Sequence, residues 1–260
     1  MKTVILSFDD SRLDFYTNVF PCLKENNIPA TLNVITDFVN NPQNYSFPSG
    51  NSEAMTSDQI VECYNSGLVE IACHGHKHNN TKEDVVDSIR NINIIIDVSN
   101  IGFASPTSAV TWDNKNINGL WNLVEQGKLS YIRSGIRIRR EGLLYTMFSV
   151  LDSKLHSNLL FWWLNKRTIN PAKLQTPFLN STTVHSYTKP RQIKNFIKKA
   201  PDGVSVILMF HSVKKRGERG YGADKFYYDY DKFIDILCFL KETQNIRVMK
   251  TIDFVNGNLK

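Results

Sequence analysis

Two near-continuous apolar runs, Val4-Ile5-Leu6 and Leu68-Val69-Glu70-Ile71-Ala72-Cys73, each stop at a cluster of ionisable side chains. β-Branched runs without polar alternation are the pattern of parallel strands covered on both faces. The C-terminal ends of such strands are where α/β folds place their chemistry. The first run ends in Ser7-Phe8-Asp9-Asp10 and the second in His74-Gly75-His76-Lys77-His78. Adjacent carboxylates repel one another and favour a cation or a shared proton between them, although Asp9 and Asp10 would also serve as caps for a helix starting near Ser11. The histidines sit on a strand end and loop, with no Glu after the first and a glycine between them, which differs from the helical zinc-protease motif. On extended backbone, positions i, i+2 and i+4 share a face, so the spacing alone allows His74, His76 and His78 all to converge. Three of the six histidines fall within five residues. Imidazole plus carboxylate suits zinc, with cobalt, nickel and manganese as weaker candidates.

The rest of the chain alternates strand and helix signals. Phe15 to Asn26 reads as a helix stopped before Pro29, and Ala30 to Ile35 as the next strand. A loop spans residues 40 to 52, after which Ser57 caps a helix ending at Gly67. Thr81-Lys82-Glu83-Asp84 resembles a capping box with Asp in place of Glu and opens a helix to about Val98. Further strands are expected at Ile101 to Ala104, Tyr131 to Arg133, Gly203 to Phe210 and Ile246 to Met249, with a helix at Asp231 to Glu242. Repeated βα units imply a parallel sheet, and 260 residues suit one closed or nearly closed barrel domain, 1–260. Cys22, Cys63, Cys73 and Cys238 are scattered and read as buried thiols, not as a disulfide framework. No apolar run is long enough to span a membrane and no secretory signal precedes the first strand, so a cytoplasmic location is the expectation for the sequence as it stands. The formal charge of +6 is modest. The basic run Lys189 to Lys199 places Ile193, Phe196 and Ile197 at helical spacing behind Pro190, the pattern of one solvated helix face, and no nucleic-acid partner is expected.

The order of Ser-Phe-Asp-Asp after the first strand, Glu70-Ile71-x-x-His74-x-x-x-His78 after the third, and Leu208-Met209-Phe210-His211-Ser212 after a late strand resembles the polysaccharide deacetylase family, carbohydrate esterase family 4. Leu23 to Thr31 looks like that family's passage from the first helix to the second strand. The resemblance implies a distorted (β/α)7 barrel, a metal held by one Asp and two His, and hydrolysis of N-acetyl groups on amino sugars. Carried over, Asp10, His74 and His78 resemble the metal ligands, Asp9 the catalytic base and His211 the catalytic acid, with His76 either a bystander or a group that supports the ligands from behind. The chemistry agrees: a bound metal acidifies water and polarises the amide carbonyl, Asp9 takes the proton, and His211 protonates the departing amine.

Two family features are missing. Where the family has an arginine two residues before proline, this chain has Ala104-Ser105-Pro106, and no aspartate-plus-aromatic motif that would orient the acid histidine is evident. Arg133, Arg137 or Arg139, beside the Tyr131 to Ser134 strand, is available to supply the charge from another strand, the alternative being plain surface charge. Pro106, Arg133 and His185 are the candidate substrate-contacting residues, and Trp112, Trp162, Trp163 and Tyr187 are available to stack on sugar rings. The leading expectation is removal of N-acetyl groups from a glycan or glycoconjugate. The alternatives are a metal-dependent amidohydrolase of the same fold acting on another C–N bond, and a glycan-binding barrel without turnover.

Overall fold

The apolar runs become the strands of a closed barrel. In a computed structural model that describes residues 1–45, 53–136, 142–223 and 225–259, the strands β1 (Lys2–Phe8), β2 (Ala30–Val34), β3 (Val69–Cys73), β4 (Gly102–Ala104), β5 (Tyr131–Gly135), β6 (Phe178–Thr183) and β7 (Ser205–Phe210) lie side by side in chain order. Every neighbouring pair is parallel, and β1 pairs with β7 along six residues, closing a seven-stranded (β/α)7 barrel. A short pair, β8 (Ser212–Lys214) and β9 (Tyr227–Asp229), follows β7. The last strand, β10 (Ile246–Val248), pairs with Lys2 to Val4 on the edge of β1 that receives β2 further along, at Ser7 and Phe8.

The two-residue period of the strands divides the core. Val4, Leu6 and Phe8, with Leu32, Ile71, Phe103 and Leu208, belong to the large cluster that packs against the helices. Ile5, Ala72, Tyr131, Leu179 and Ile207 form a separate cluster inside the barrel. Continuing the inward parity toward the C-terminal ends gives Asp9, Asn33, His74, Arg133, Ser181 and His211. The site therefore occupies the barrel mouth, above its apolar interior. Gly102 has no alternative here, because a Cβ would meet the Tyr131 ring at 1.9 Å.

The helices are α1 (Phe20–Asn26), α2 (Thr36–Asn40), α3 (Ser57–Asn65), α4 (Lys82–Ile95), α5 (Leu120–Glu125), α6 (Leu143–Leu155), α7 (Asn158–Asn165), α8 (Pro190–Lys199), α9 (Tyr230–Glu242) and α10 (Thr251–Asn258). The helix expected from Phe15 begins with a π-helical turn over Phe15–Val19, closed by Phe20 N–H to Phe15 O. Pro21 sits in the first turn of α1 and, lacking an N–H, cannot donate to the Thr17 carbonyl. Asn27, left-handed at φ 52°, ends it. Thr56, not Ser57, caps α3, in a capping box with Gln59. Helix α4 stops at Ile95, short of Val98. Cys22, Cys63 and Cys73 are buried free thiols, whereas Cys238 is exposed. No helix among the described residues is long and apolar enough to cross a membrane. Residues 46–52 of the expected loop, and Arg137 and Arg139, lie outside the described residues.

Candidate metal and catalytic site

Asp9 and Asp10 leave β1 on divergent courses. Asp9 continues the strand, its N–H donating to Phe210 O of β7 at 2.9 Å. Asp10 and Ser11 adopt positive φ (80° and 52°), a costly conformation for residues with a Cβ. Both carboxylates are buried, and each has its own arginine. Arg133 Nη2 donates to Asp9 Oδ1, and Asn33 Nδ2 donates to the same oxygen at 2.7 Å. Arg12 donates through Nε (3.0 Å) and Nη2 (2.7 Å) to Asp10 Oδ2. Burial opposes ionisation of both acids, but the Arg133 guanidinium brings Asp9 below the usual carboxylate range, and Arg12 brings Asp10 well below it.

The histidine segment is not extended. Gly75 turns at φ +81°, where a Cβ would lie 2.5 Å from Asp84 Oδ2, and His78 sits at φ 57°. This turn brings His74 and His78 together, their rings 4.9 Å apart. His74 Nε2 is 3.4 Å and His78 Nε2 3.8 Å from Asp10 Oδ1. One donor atom from each of Asp10, His74 and His78 lies within 4.8 Å of the others. His76, which spacing alone left open as a third partner, points elsewhere, with its Nδ1 bonding Thr36 Oγ1 at 2.9 Å. The carboxylate of Asp84, read in sequence as a capping group, holds the turn instead by accepting from Lys77 N (2.8 Å) and Asn79 N (3.1 Å).

This donor set fits a cation. Asp10 Oδ1 is buried with no hydrogen-bond partner among the described residues and faces the two imidazoles. His74 Nδ1 lies 2.8 Å from Ala104 O. A carbonyl can only accept, so Nδ1 carries the proton and Nε2 offers its lone pair to the cluster. Burial lowers His78 to about 4, keeping it neutral and able to ligate near neutral pH.

The remaining candidates sit around this group. Arg133 is buried, and its Nη1 donates to Ser181 Oγ at 3.1 Å while Nη2 reaches Asp9. His211 ends β7 with its ring 4.9 Å from Phe226. Burial lowers its pKa, against the pull of Asp10 and Asp9, and its Nδ1 lacks a hydrogen-bond partner among the described residues. His185 lies tilted against Tyr187 at 5.1 Å and edge-on to Phe226 at 5.8 Å and lines a cavity of about 50 Å³ with Ser149, Asp152 and Ser181. Pro106 is buried in a turn, and its carbonyl accepts from Asn80 Nδ2 at 3.1 Å, while Ser105 Oγ donates to Asn80 Oδ1 at 2.7 Å. These bonds tie the Ser105-Pro106 loop to the residues just after the histidine turn. Trp112 is exposed with Lys115 Nζ 3.8 Å above its ring, whereas Trp162 and Trp163 pack on Phe196 and on Tyr145 and Phe148.

Sequence reasoning missed Arg12, Asn33 and the second task of Asp84. Asn33 carried a signal: an amide side chain at the inward parity, near the C-terminal end of β2. Arg12 carried only its nearness to Asp10.

A parallel barrel with an Asp-His-His group at its mouth defines a class of site. The chain resembles the polysaccharide deacetylase family, carbohydrate esterase family 4: the family model described as polysaccharide deacetylase matches residues 1–101. That stretch contains Asp9, Asp10, His74 and His78 and stops before Arg133 and His211. The poly-β-1,6-N-acetyl-D-glucosamine N-deacetylase of Staphylococcus aureus (strain MSSA476) is 33% identical over 84 residues, which are 32% of this chain and 27% of that protein. Among solved structures, a family 4 acetyl xylan esterase from Clostridium thermocellum, in complex with a cobalt ion, aligns with TM-score 0.53 and 14% identity over 98% of this chain and 90% of its own. The Xyl-CE4 domain of a multidomain xylanase from the hindgut metagenome of Trinervitermes trinervoides aligns with TM-score 0.50 and 14% identity, at the same coverage. These structural likenesses concern the fold.

Proposed function

We propose that this protein is a metal-dependent N-deacetylase acting on an N-acetylated amino-sugar glycan or glycoconjugate. The observation that carries the reading is the buried group of Asp10, His74 and His78, its unpartnered Asp10 Oδ1 facing both imidazoles, beside a second, arginine-paired carboxylate. The relative in Staphylococcus aureus, named for deacetylation of poly-β-1,6-N-acetyl-D-glucosamine, supports the substrate class. Asp10, His74 and His78 would hold the ion, with zinc favoured by the ligand set and cobalt, nickel or manganese as substitutes. When bound, such an ion polarises the amide carbonyl and makes a water more acidic.

The chain's own residues supply the rest. Asp9, kept ionised by Arg133 and oriented by Asn33, is the base that takes the proton of the attacking water. Its second oxygen, Oδ2, lies 3.9 Å from His74 Nε2 and so faces the ligand group. His211 is the acid that protonates the departing amine. Because burial lowers its pKa, its protonated form is a strong donor. Arg133 takes the place of the arginine absent before Pro106, reaching Asp9 from β5 instead of from β4.

The test combines elemental analysis of protein purified without added metal with acetate release from N-acetylglucosamine oligomers, for wild type and Asp9→Asn. The expected result is near-stoichiometric metal in both proteins and acetate release in wild type alone. Metal without acetate release would move the assignment to an amidohydrolase of another C–N bond or to a glycan-binding barrel. No metal after reconstitution with zinc, cobalt or nickel would overturn it.

A further inference from the structure

Among the described residues, seven of the twelve exposed large hydrophobic side chains fall between Leu143 and Leu159. On α6, Leu143, Leu144, Met147, Val150, Leu151 and Leu155 occupy an arc of about 140° at 100° per residue, with Leu143 76% and Leu155 62% exposed. Leu159 of α7, 67% exposed, lies just beyond the turn between the two helices. The opposite side of α6 holds Tyr145, buried, and Ser149 and Asp152, which line the cavity shared with His185. The helix therefore walls the barrel with its polar inner face and turns its apolar face to solvent, the reverse of an ordinary surface helix.

Cations outnumber acids in the segment that carries this stripe. From Gly142 to Pro201 the sequence carries nine Lys or Arg and a single acid, Asp152, which is buried. Lys154 and Lys166 are exposed at the end of α6 and just after α7, and α6 packs on α7, which packs on α8 with its exposed Arg191, Lys198 and Lys199. An apolar helix face rimmed by cations is the arrangement of helices that lie in a membrane interface and attract anionic headgroups. A two-fold contact with a second copy would set this cationic layer against itself.

We infer that the outer face of α6 and α7 docks on an anionic lipid bilayer surface, with the apolar stripe entering the acyl boundary and the flanking lysines and arginines meeting headgroup phosphates. The inference is independent of the deacetylase reading. The experiment is co-sedimentation of the full chain with phosphatidylglycerol–phosphatidylcholine vesicles and with phosphatidylcholine vesicles alone, at low and high salt. Wild type is compared with Met147→Asp/Leu151→Asp and with Lys154→Glu/Lys166→Glu, both pairs being exposed. The expected result is salt-sensitive binding to the anionic vesicles, reduced at least tenfold in each double variant and on neutral vesicles. Absence of binding, equal binding to neutral vesicles, or binding undiminished in the variants would overturn the inference. So would concentration-dependent self-association without vesicle binding that Met147→Asp/Leu151→Asp relieves. Should that variant fail to fold, the lysine reversal alone decides the outcome by the same tenfold criterion.

Discussion

The two halves of the barrel build one cluster by different routes. Strands β1 to β4 bring Asp9, Asp10, His74 and His78 to it in two short segments whose backbone is bent for the purpose, at positive φ in Asp10, Gly75 and His78. Strands β5 to β7 contribute single residues, Arg133, Ser181 and His211, whose proximity depends on closure of β7 onto β1. Atoms that converge on one ion must be fixed to a fraction of an ångström, which requires local turns. A guanidinium that neutralises a carboxylate can come from any inward strand position level with it, and here it comes from β5 across the mouth to β1.

The largest expected effect breaks the first half alone. His78→Ala removes one of the three donors, and on the proposed reading it abolishes metal retention and lowers acetate release by at least about 10³-fold, since the reaction depends on the ion. Elemental analysis and an acetate assay on the same preparation check this. Stoichiometric metal in the variant would exclude His78 from the site.

Breaking the second half is expected to separate charge from metal. Arg133→Gln leaves Asp9 buried with Asn33 as its remaining side-chain hydrogen-bond donor among the described residues, and removing one member of a buried ion pair costs about 3–5 kcal/mol of stability. Acetate release is expected to fall about 10–100-fold, by analogy with supporting residues around other metal sites, while metal content stays near wild type. Arg133→Lys keeps the charge but loses the fork that spans Asp9 and Ser181, so it recovers only part of the loss. If metal disappears together with stability in Arg133→Gln, the halves are not separable and the comparison fails. Chemical denaturation and elemental analysis give the two readings.

This contrast also explains what was legible in the sequence. The strands, their order and the Asp9-Asp10 and His74 to His78 segments could be read because apolar runs and short motifs are local signals. Spacing alone could not set His76 apart from His74 and His78, because an extended backbone would place all three on one face, whereas the chain turns at Gly75 and sends His76 to Thr36. Arg133 stood only as one of three arginines, since which of them faces the mouth is set by barrel parity and register: Ala104 pairs with Arg133, and Arg133 with Leu179. Arg12 and Asn33 act through contacts that no spacing announces. Asp84 misled for the opposite reason, because its capping position was correct and its carboxylate is used elsewhere.

A smaller change sharpens the first half. Asp84→Asn keeps the α4 backbone cap on Thr81 but replaces one of the two carboxylate oxygens that hold Lys77 N and Asn79 N with an amide NH₂. The His78 turn then loosens while Asp10, His74 and His78, the proposed ligands, are all retained. Metal affinity is expected to fall about tenfold, measured by competition with a chromophoric chelator. Unchanged affinity would show that Gly75 and the strand end suffice to set the turn.

The smallest effect belongs to the second half and involves no metal. Asp152, inside the α6 wall with Gln192 Nε2 at 3.0 Å, is raised by burial to about 6. Its folded pKa lies above the ordinary 3.8, so between about pH 4 and 6 the folded protein keeps a proton that the unfolded chain has released. This contribution to stability is present on the acid side and is lost as pH rises through the window. His185 works in the opposite sense: burial lowers it to about 3, so the unfolded chain binds the extra proton between about pH 3 and 6.5, and stability rises with pH there. Asp152→Asn retains an acceptor for Gln192 and removes only the first of these. The difference in Tm between wild type and variant, followed from pH 4 to 7.5, is therefore expected to move in the variant's favour up to about pH 6 and then level off. Parallel Tm curves would show that the Asp152 carboxyl titrates alike in the folded and unfolded chain, and that the wall of the cavity is wetter than its burial implies.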